Sequence, residues 1–153
     1  MERTLVLLKP DAVQRGLAGR ILARFEEKGL KLIGLKLRQF PEATIREHYD
    51  VHKERPFYPK LVEYMTSGAV VALALEGLDA IAVVRRMVGA TNSREADPGT
   101  IRGDFGMSGG YNMIHGSDGP ESAQRELALW FAPSEIFDYK KASDQWVYDP
   151  SDQ

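Results

Sequence analysis

Leu5-Val6-Leu7-Leu8-Lys9-Pro10 is the stretch on which the fold turns. Four apolar residues in a row, without alternation, read as a strand buried on both faces and therefore central in its sheet. Lys9 closes the run, and Pro10, which has no N–H, stops the ladder. A lysine at a strand end before a turn can reach into a site, although a single lysine is more often simply exposed. Ala69 to Glu76 has the same character and predicts a second strand buried on both faces. Around these two runs the periodicity changes to that of helices. Residues 18–28 predict a helix with Ile21, Leu22 and Phe25 inward, stopped by Gly29. Leu30 to Arg38 predicts a strand whose alternation slips near Gly34, as a bulge requires. Residues 42–51 and 58–66 predict two short helices on either side of Arg55-Pro56-Phe57-Tyr58-Pro59.

Asp79 stands where a cap belongs, before a stripe of Ala80, Val83, Val84, Met87 and Val88, with Arg85 and Arg86 off the stripe. Gly89 to Tyr111 shows little periodicity and reads as a long functional loop. Met113 and Ile114 lead a fourth strand into His115, and Gly116, Gly119 and Pro120 break it. Asp118 precedes Glu121 by three, the spacing of a capping box, and Ala123, Leu127, Trp130 and Phe131 form one face of a last helix. Residues 133–153 are irregular, but Tyr139, Trp146, Val147 and Tyr148 are large for a free tail, so docking is expected. The order of elements predicts an α+β sandwich of βαββαβ type, the ferredoxin-like plan, with a four-stranded antiparallel sheet covered by helices.

At 153 residues the chain is expected to form one domain, 1–153. Its net charge of −2 offers no basic footprint for nucleic acid or an anionic membrane. No cysteine is present, so neither disulfides nor a cysteine-ligated metal hold the fold. The longest apolar run, Ala69 to Leu75, is too short to span a bilayer. Met1-Glu2-Arg3 runs straight into the first strand, leaving no room for a signal peptide. A cytoplasmic protein is expected.

His115 is one of three histidines. Glu126 borders the apolar face of the last helix, three residues after Ala123 and four before Trp130. A carboxylate there can point back at the strand end, hold one imidazole nitrogen and leave the other free, as an activated nucleophile needs. The plainer alternative is a satisfied structural histidine. Ser117 and Asp118 do not make a hydrolase triad with it, because neighbouring side chains cannot converge in line. His48 and His52 have the i, i+4 spacing of metal ligands but lack a third partner, so a solvated helix face is the expectation. No glycine-rich phosphate loop is present. Phosphates, if bound, must be held by side chains: Lys9, Arg85 and Arg102 as clamps, Thr91 and Asn112 as neutral donors. Mg²⁺ held mainly through the phosphates would complete the charge balance.

Asn112-Met113-Ile114-His115-Gly116-Ser117-Asp118 resembles the N-x-x-H-G-S-D signature of the nucleoside diphosphate kinases. Lys9-Pro10-Asp11 and Pro98-Gly99-Thr100-Ile101-Arg102-Gly103-Asp104-Phe105 resemble the same family, in order and at matching spacings. The resemblance implies an Mg²⁺-dependent transfer of the γ-phosphate from a nucleoside triphosphate to a nucleoside diphosphate, by a ping-pong route through phosphorylated His115. It implies that Lys9, Tyr49, Arg85, Thr91, Arg102 and Asn112 contact phosphates or ribose. By the same resemblance Phe57 stacks on the base, and Glu126, supported by Ser117, orients His115. Base specificity should be broad, since Phe57, Leu61 and the Gly109 region offer nothing to read a base edge. The family forms hexamers or tetramers, and the long tail and Pro98 resemble the hexameric branch. Three positions depart from the family: Ala12 for glycine, Gly109 for an aliphatic residue and Tyr111 for arginine. A nucleotide-binding regulatory protein without turnover is the alternative from another class. Intact Lys9, His115 and Glu126 weigh against it, and the slightly acidic balance weighs against a nucleic-acid binder.

Overall fold

The computed structural model describes residues 1–152. Strand β1 is Glu2–Leu8, β2 Lys31–Arg38, β3 Val70–Gly77 and β4 Ile114–Gly116. They form one antiparallel sheet in the order β2-β3-β1-β4. The two unbroken apolar runs therefore occupy its two central places. All eight residues of β3 and the last five of β1 are buried.

Helices account for this burial on both faces. On one side, Val6, Leu8, Leu73 and Leu75 pack against Ile21 and Phe25 of α2 (Ala18–Lys28) and Val84 and Val88 of α5 (Ala80–Val88). On the other, Leu5, Leu7, Ala72 and Ala74 meet α3 (Glu42–His48), α4 (Tyr58–Thr66) and Trp130 of α7 (Pro120–Trp130). Truncating a leucine of β1 to alanine would leave a cavity in one layer or the other, at a cost of about 2–5 kcal/mol. The ferredoxin-like plan is thus present, with α3 and α4 inserted between β2 and β3.

Local signals account for most boundaries. Gly29 ends α2 in the left-handed region at φ 103°. The β2–β3 register shifts between Leu32 and Gly34, where the bulge was expected. Other expectations need correcting. Asp79 precedes α5, but at φ 48° its carboxylate makes no capping bond. Asp118 lies one residue too early to cap α7: Gly119 holds that position, with Pro120 following. The segment from Gly89 to Tyr111 is not all loop. It contains α6 (Ile101–Phe105), whose first turn is closed by the Thr100 hydroxyl accepting from the Gly103 N–H at 3.0 Å. A five-residue helix, α1 (Pro10–Gln14), also follows β1, begun by the proline that ends the strand.

The tail docks along β2. The Phe137 N–H donates to the Ile33 carbonyl at 2.8 Å, and the Tyr139 hydroxyl to that of Leu32 at 2.6 Å. Its largest residue is not covered: Trp146 stays 85% exposed. Among the described residues, no helix is long and apolar enough to cross a membrane.

Candidate functional site

The antiparallel pairing of β1 with β4 sets Leu7 opposite His115. Lys9, two residues further, lies at the same end of the sheet, and its N–H donates to the Met113 carbonyl at 2.8 Å. Met113 adopts φ 66°, the left-handed region, and is wholly buried. This local kink precedes the three-residue strand carrying His115.

Four elements bring cations and donors to this end. The Lys9 ammonium donates to Asn112 Oδ1 at 2.8 Å, and Asn112 Nδ2 donates to the Thr91 carbonyl at 3.0 Å. Arg85 reaches over from α5 to the Gly116 carbonyl at 3.2 Å. Arg102 of α6 is buried and donates to the carbonyls of Asn112, Gly89 and Ile114, the last at 2.6 Å. α6 can sit this close because Gly103 and Gly106 have no side chains: a Cβ would strike the Asp97 carbonyl at one and Ser93 at the other.

Among the described residues, no carboxylate pairs with Lys9, Arg85 or Arg102. Asp11, whose charge acts on Lys9, accepts a hydrogen bond from the Tyr64 hydroxyl. Burial, and then the neighbouring Arg102, lower Lys9 to about 8. Burial, and then Arg85, lower Arg102 to about 10. Two buried cations and the exposed Arg85, none of them bonded to a carboxylate among the described residues, make a place for an anion.

His115 lies beside this cluster with its side chain 20% exposed. Its Nε2 is 2.7 Å from Glu126 Oε1, and the Ser117 hydroxyl donates to the same oxygen at 2.8 Å. Ser117 and Glu126 are both buried behind the ring. With the carboxylate accepting from both, Nε2 carries the proton and Nδ1 keeps a free lone pair. Burial lowers His115 below its ordinary range, against the opposing pull of Glu126. Tyr49 is buried nearby with its hydroxyl unpartnered, and burial pushes the phenol up.

These groups open onto a cleft of about 1210 Å³. Of the residues singled out in the sequence, Lys9, Tyr49, Phe57, Arg85, Thr91, Arg102, Asn112 and His115 line it. Ser117 and Glu126 stand behind His115 instead. Phe57, half exposed, lines the same cleft, as do Leu61 and Gly109. Tyr111 forms part of the wall, its ring 5.0 Å from that of Tyr64.

The structure also brings in groups that sequence reasoning passed over. Tyr64 and Asp118 line the cleft, and a hydrogen bond from Ser122 holds the Asp118 carboxyl below the usual range. His48 is not on a solvated face: it is buried, and its Nδ1 accepts from Trp130 Nε1 at 2.9 Å. The i, i+4 pairing with His52 fails because α3 ends at His48 and a 3-10 turn, Asp50–His52, redirects the chain. His52 packs by Phe57 instead. His48, His115 and Glu126 do place potential ligand atoms within 4.8 Å of one another. The short His115–Glu126 hydrogen bond and the positive charge nearby disfavour a metal there. The cleft's donor set fits Mg²⁺ carried on phosphates better than a metal in a protein cage.

Comparison with known proteins agrees with this reading. A family model described as nucleoside diphosphate kinase matches residues 2–136. The nucleoside diphosphate kinase of Staphylococcus epidermidis is 54% identical over 149 residues, 97% of this chain and 100% of its own length. That of Methanothermobacter thermautotrophicus is also 54% identical, over 97% of this chain and 99% of its own. The solved structure of the halophilic nucleoside diphosphate kinase from Halobacterium salinarum in complex with CDP superposes with a TM-score of 0.95, at 47% identity, covering 97% of this chain and 99% of that one. These likenesses define an enzyme that moves phosphate between nucleotides. The chain belongs to the nucleoside diphosphate kinase family.

Proposed function

We propose that the chain passes the γ-phosphate of a nucleoside triphosphate to a nucleoside diphosphate in two half-reactions through one phosphorylated histidine, His115. The observation that carries this is the His115–Glu126–Ser117 arrangement. His115 Nε2 and the Ser117 hydroxyl bond to one buried carboxylate oxygen, which holds Nε2 and leaves Nδ1 free beside a group of cations. In the first half-reaction Nδ1 attacks the γ-phosphorus, and the bond to the β–γ bridging oxygen breaks. In the second, a terminal oxygen of the diphosphate attacks the phosphohistidine and the N–P bond breaks.

Lys9, Arg85 and Arg102 would offset phosphate charge, with Thr91, Asn112 and Tyr49 bonding phosphate or ribose oxygens. Phe57 would stack on the base. The CDP complex of the halophilic relative supports nucleotide occupancy of such a cleft. Mg²⁺ would arrive on the nucleotide phosphates and supply charge neutralisation there. Base choice would be broad, because the apolar groups at the Phe57 end face every base alike. We take the cytoplasm, where nucleoside triphosphates are made and spent, as its compartment.

A closed homo-oligomer is part of the same reading, with a hexamer favoured over a tetramer. β2 is an edge strand, and its Leu35 and Leu37 are exposed above a shallow apolar groove beside α2. A monomer mass by light scattering at micromolar concentration would sink that part.

The central test is labelling. ATP carrying a labelled γ-phosphate, with Mg²⁺, should leave an acid-labile, base-stable label on the protein, and GDP should remove it as GTP. His115→Ala should abolish both steps. Turnover at the wild-type rate in that variant would refute the proposal.

A further inference from the structure

Glu126 holds one atom of the His115 ring. Together with the Cβ–Cγ bond, a single hydrogen bond at one edge restrains the tilt of the ring only loosely, and a tilt would carry Nδ1 away from the cleft. Something else must set the plane. Tyr49 contributes a ring 6.5 Å away. A closer one belongs to His48, whose centroid lies 4.6 Å from that of His115 with the planes at 83°.

His48 is itself held tightly. It is 3% exposed and rests edge-to-face on Trp130 and Tyr49. Trp130, 1% exposed, donates its indole N–H to His48 Nδ1 at 2.9 Å. That bond sets both the rotamer and the tautomer, since the nitrogen that accepts cannot carry a proton. Turning the ring over would put a C–H where the acceptor was and leave a buried N–H without a partner. Burial first, then His115, Arg125, Lys9 and His52, keep His48 well below the usual imidazole range. It therefore adds no charge to a site already crowded with cations. A phenylalanine would offer a similar face but no acceptor for Trp130.

We propose that His48 is a positioning residue: anchored by Trp130, its ring sets the plane of the His115 imidazole and keeps Nδ1 directed into the cleft. This rests on the phosphohistidine reading above.

The test uses two kinds of variant. His48→Asn keeps an acceptor for Trp130 but removes the ring, and His48→Phe keeps a ring but removes the acceptor. Single-turnover phosphorylation by ATP is measured beside the Kd for GDP and the Tm. His48→Asn should lose roughly 10–100-fold in phosphorylation rate, the scale of a small misplacement of a reacting group. Its Kd and Tm should stay close to wild type. His48→Phe should melt earlier yet phosphorylate within about threefold of wild type. A folded His48→Asn at the wild-type rate overturns the proposal, as does a rate loss matched by equal losses in GDP affinity. Should His48→Asn not fold, His48→Gln repeats the measurement with a longer ringless side chain.

A further readout needs no substitution: ¹⁵N spectra of the intact protein should show His48 Nδ1 unprotonated from about pH 6 to 8. A His48 that titrates in that window overturns the lock. If wild-type protein takes no label on His115, the proposed function has failed instead, and the spectra still decide the state of His48.

Discussion

The two ends of the cleft are built by opposite means. At the His115 end most polar groups are tied to a partner, and Lys9, Arg102, Asn112 and Glu126 are buried: Lys9 bonds to Asn112, Asn112 to Thr91, Arg102 to three carbonyls, His115 to Glu126. Among the apolar lining, Phe57 is half exposed, Tyr111 is more so, and Gly109 presents no side chain. Rigid, charged groups crowd where phosphates would sit, and a loose apolar surface is left for the base. On the proposed function, base selectivity would be omitted by leaving one end of the site unbuilt. A base edge is rejected only by buried polar groups that it fails to satisfy, and none is evident there.

The comparison is tested hardest at the rigid end. Glu126→Gln keeps the shape but alters the bond to His115, and kcat should fall roughly 10–10³-fold with the fold intact. Steady-state kinetics beside circular dichroism would show it, and unchanged turnover would make Glu126 a purely structural residue.

The pH profile probes the same end at up to tenfold per unit. With His115 lowered by burial, kcat/KM should hold at pH 6.5 and fall only at more acid pH, as Nδ1 protonates. With Lys9 at about 8, it should fall again above that pH as the ammonium loses its charge. The sign for stability is opposite. A lysine depressed from 10.5 costs the empty fold stability below about 8, and that cost lifts as pH rises from there towards 10.5. Alkaline titration should therefore weaken nucleotide binding while steadying the empty protein. Parallel movement of both would contradict the assignment to Lys9.

The loose end should respond less. Phe57→Ala should raise KM for every nucleotide by a similar factor, in the range of about 1–3 kcal/mol expected for stacking on one base. Donor kcat/KM values for ATP, GTP, CTP and UTP should stay within roughly 10³ of one another, purines ahead. A wider spread would reveal an edge-reading contact and break the contrast.

The smallest effect belongs to Gly109. A Cβ there would meet nothing closer than Asn92 at 3.7 Å, and its backbone is not left-handed. Gly109→Val should fold normally and lower KM by a few-fold through added apolar contact with the base. An unfolded variant, or one with raised KM, would mean that the open slot is needed.

What could be read in advance followed the range of the interactions. β1, β3, the Gly29 stop and the bulge near Gly34 rest on local periodicity, so they were legible. The three motif stretches were legible too, and the structure brings their Lys9, Arg102, Asn112 and His115 to one cleft. α6 was hidden because its five residues are held by Thr100 and by glycine contacts, not by an apolar stripe. The burial of His48 depends on Trp130, 82 positions away, and the tie of Asp11 to Tyr64 spans 53. No pattern within one element could announce either. Asp79 and Asp118 misled for the converse reason: the local signal was present, but backbone geometry left neither carboxylate a capping bond to make.

The central place of β1 has a cost during synthesis. Glu2–Leu8 is made first, yet its neighbours in the sheet begin at Val70 and Ile114. At about 5–20 residues per second, the most apolar strand of the nascent chain waits several seconds for the first of these. Until then Leu5 to Leu8 can be shielded only by transient collapse or by a chaperone. Aggregation of ribosome-bound chains stalled before Val70 should therefore be governed by those four residues, and a polar substitution among them would help the unfinished chain while ruining the finished one.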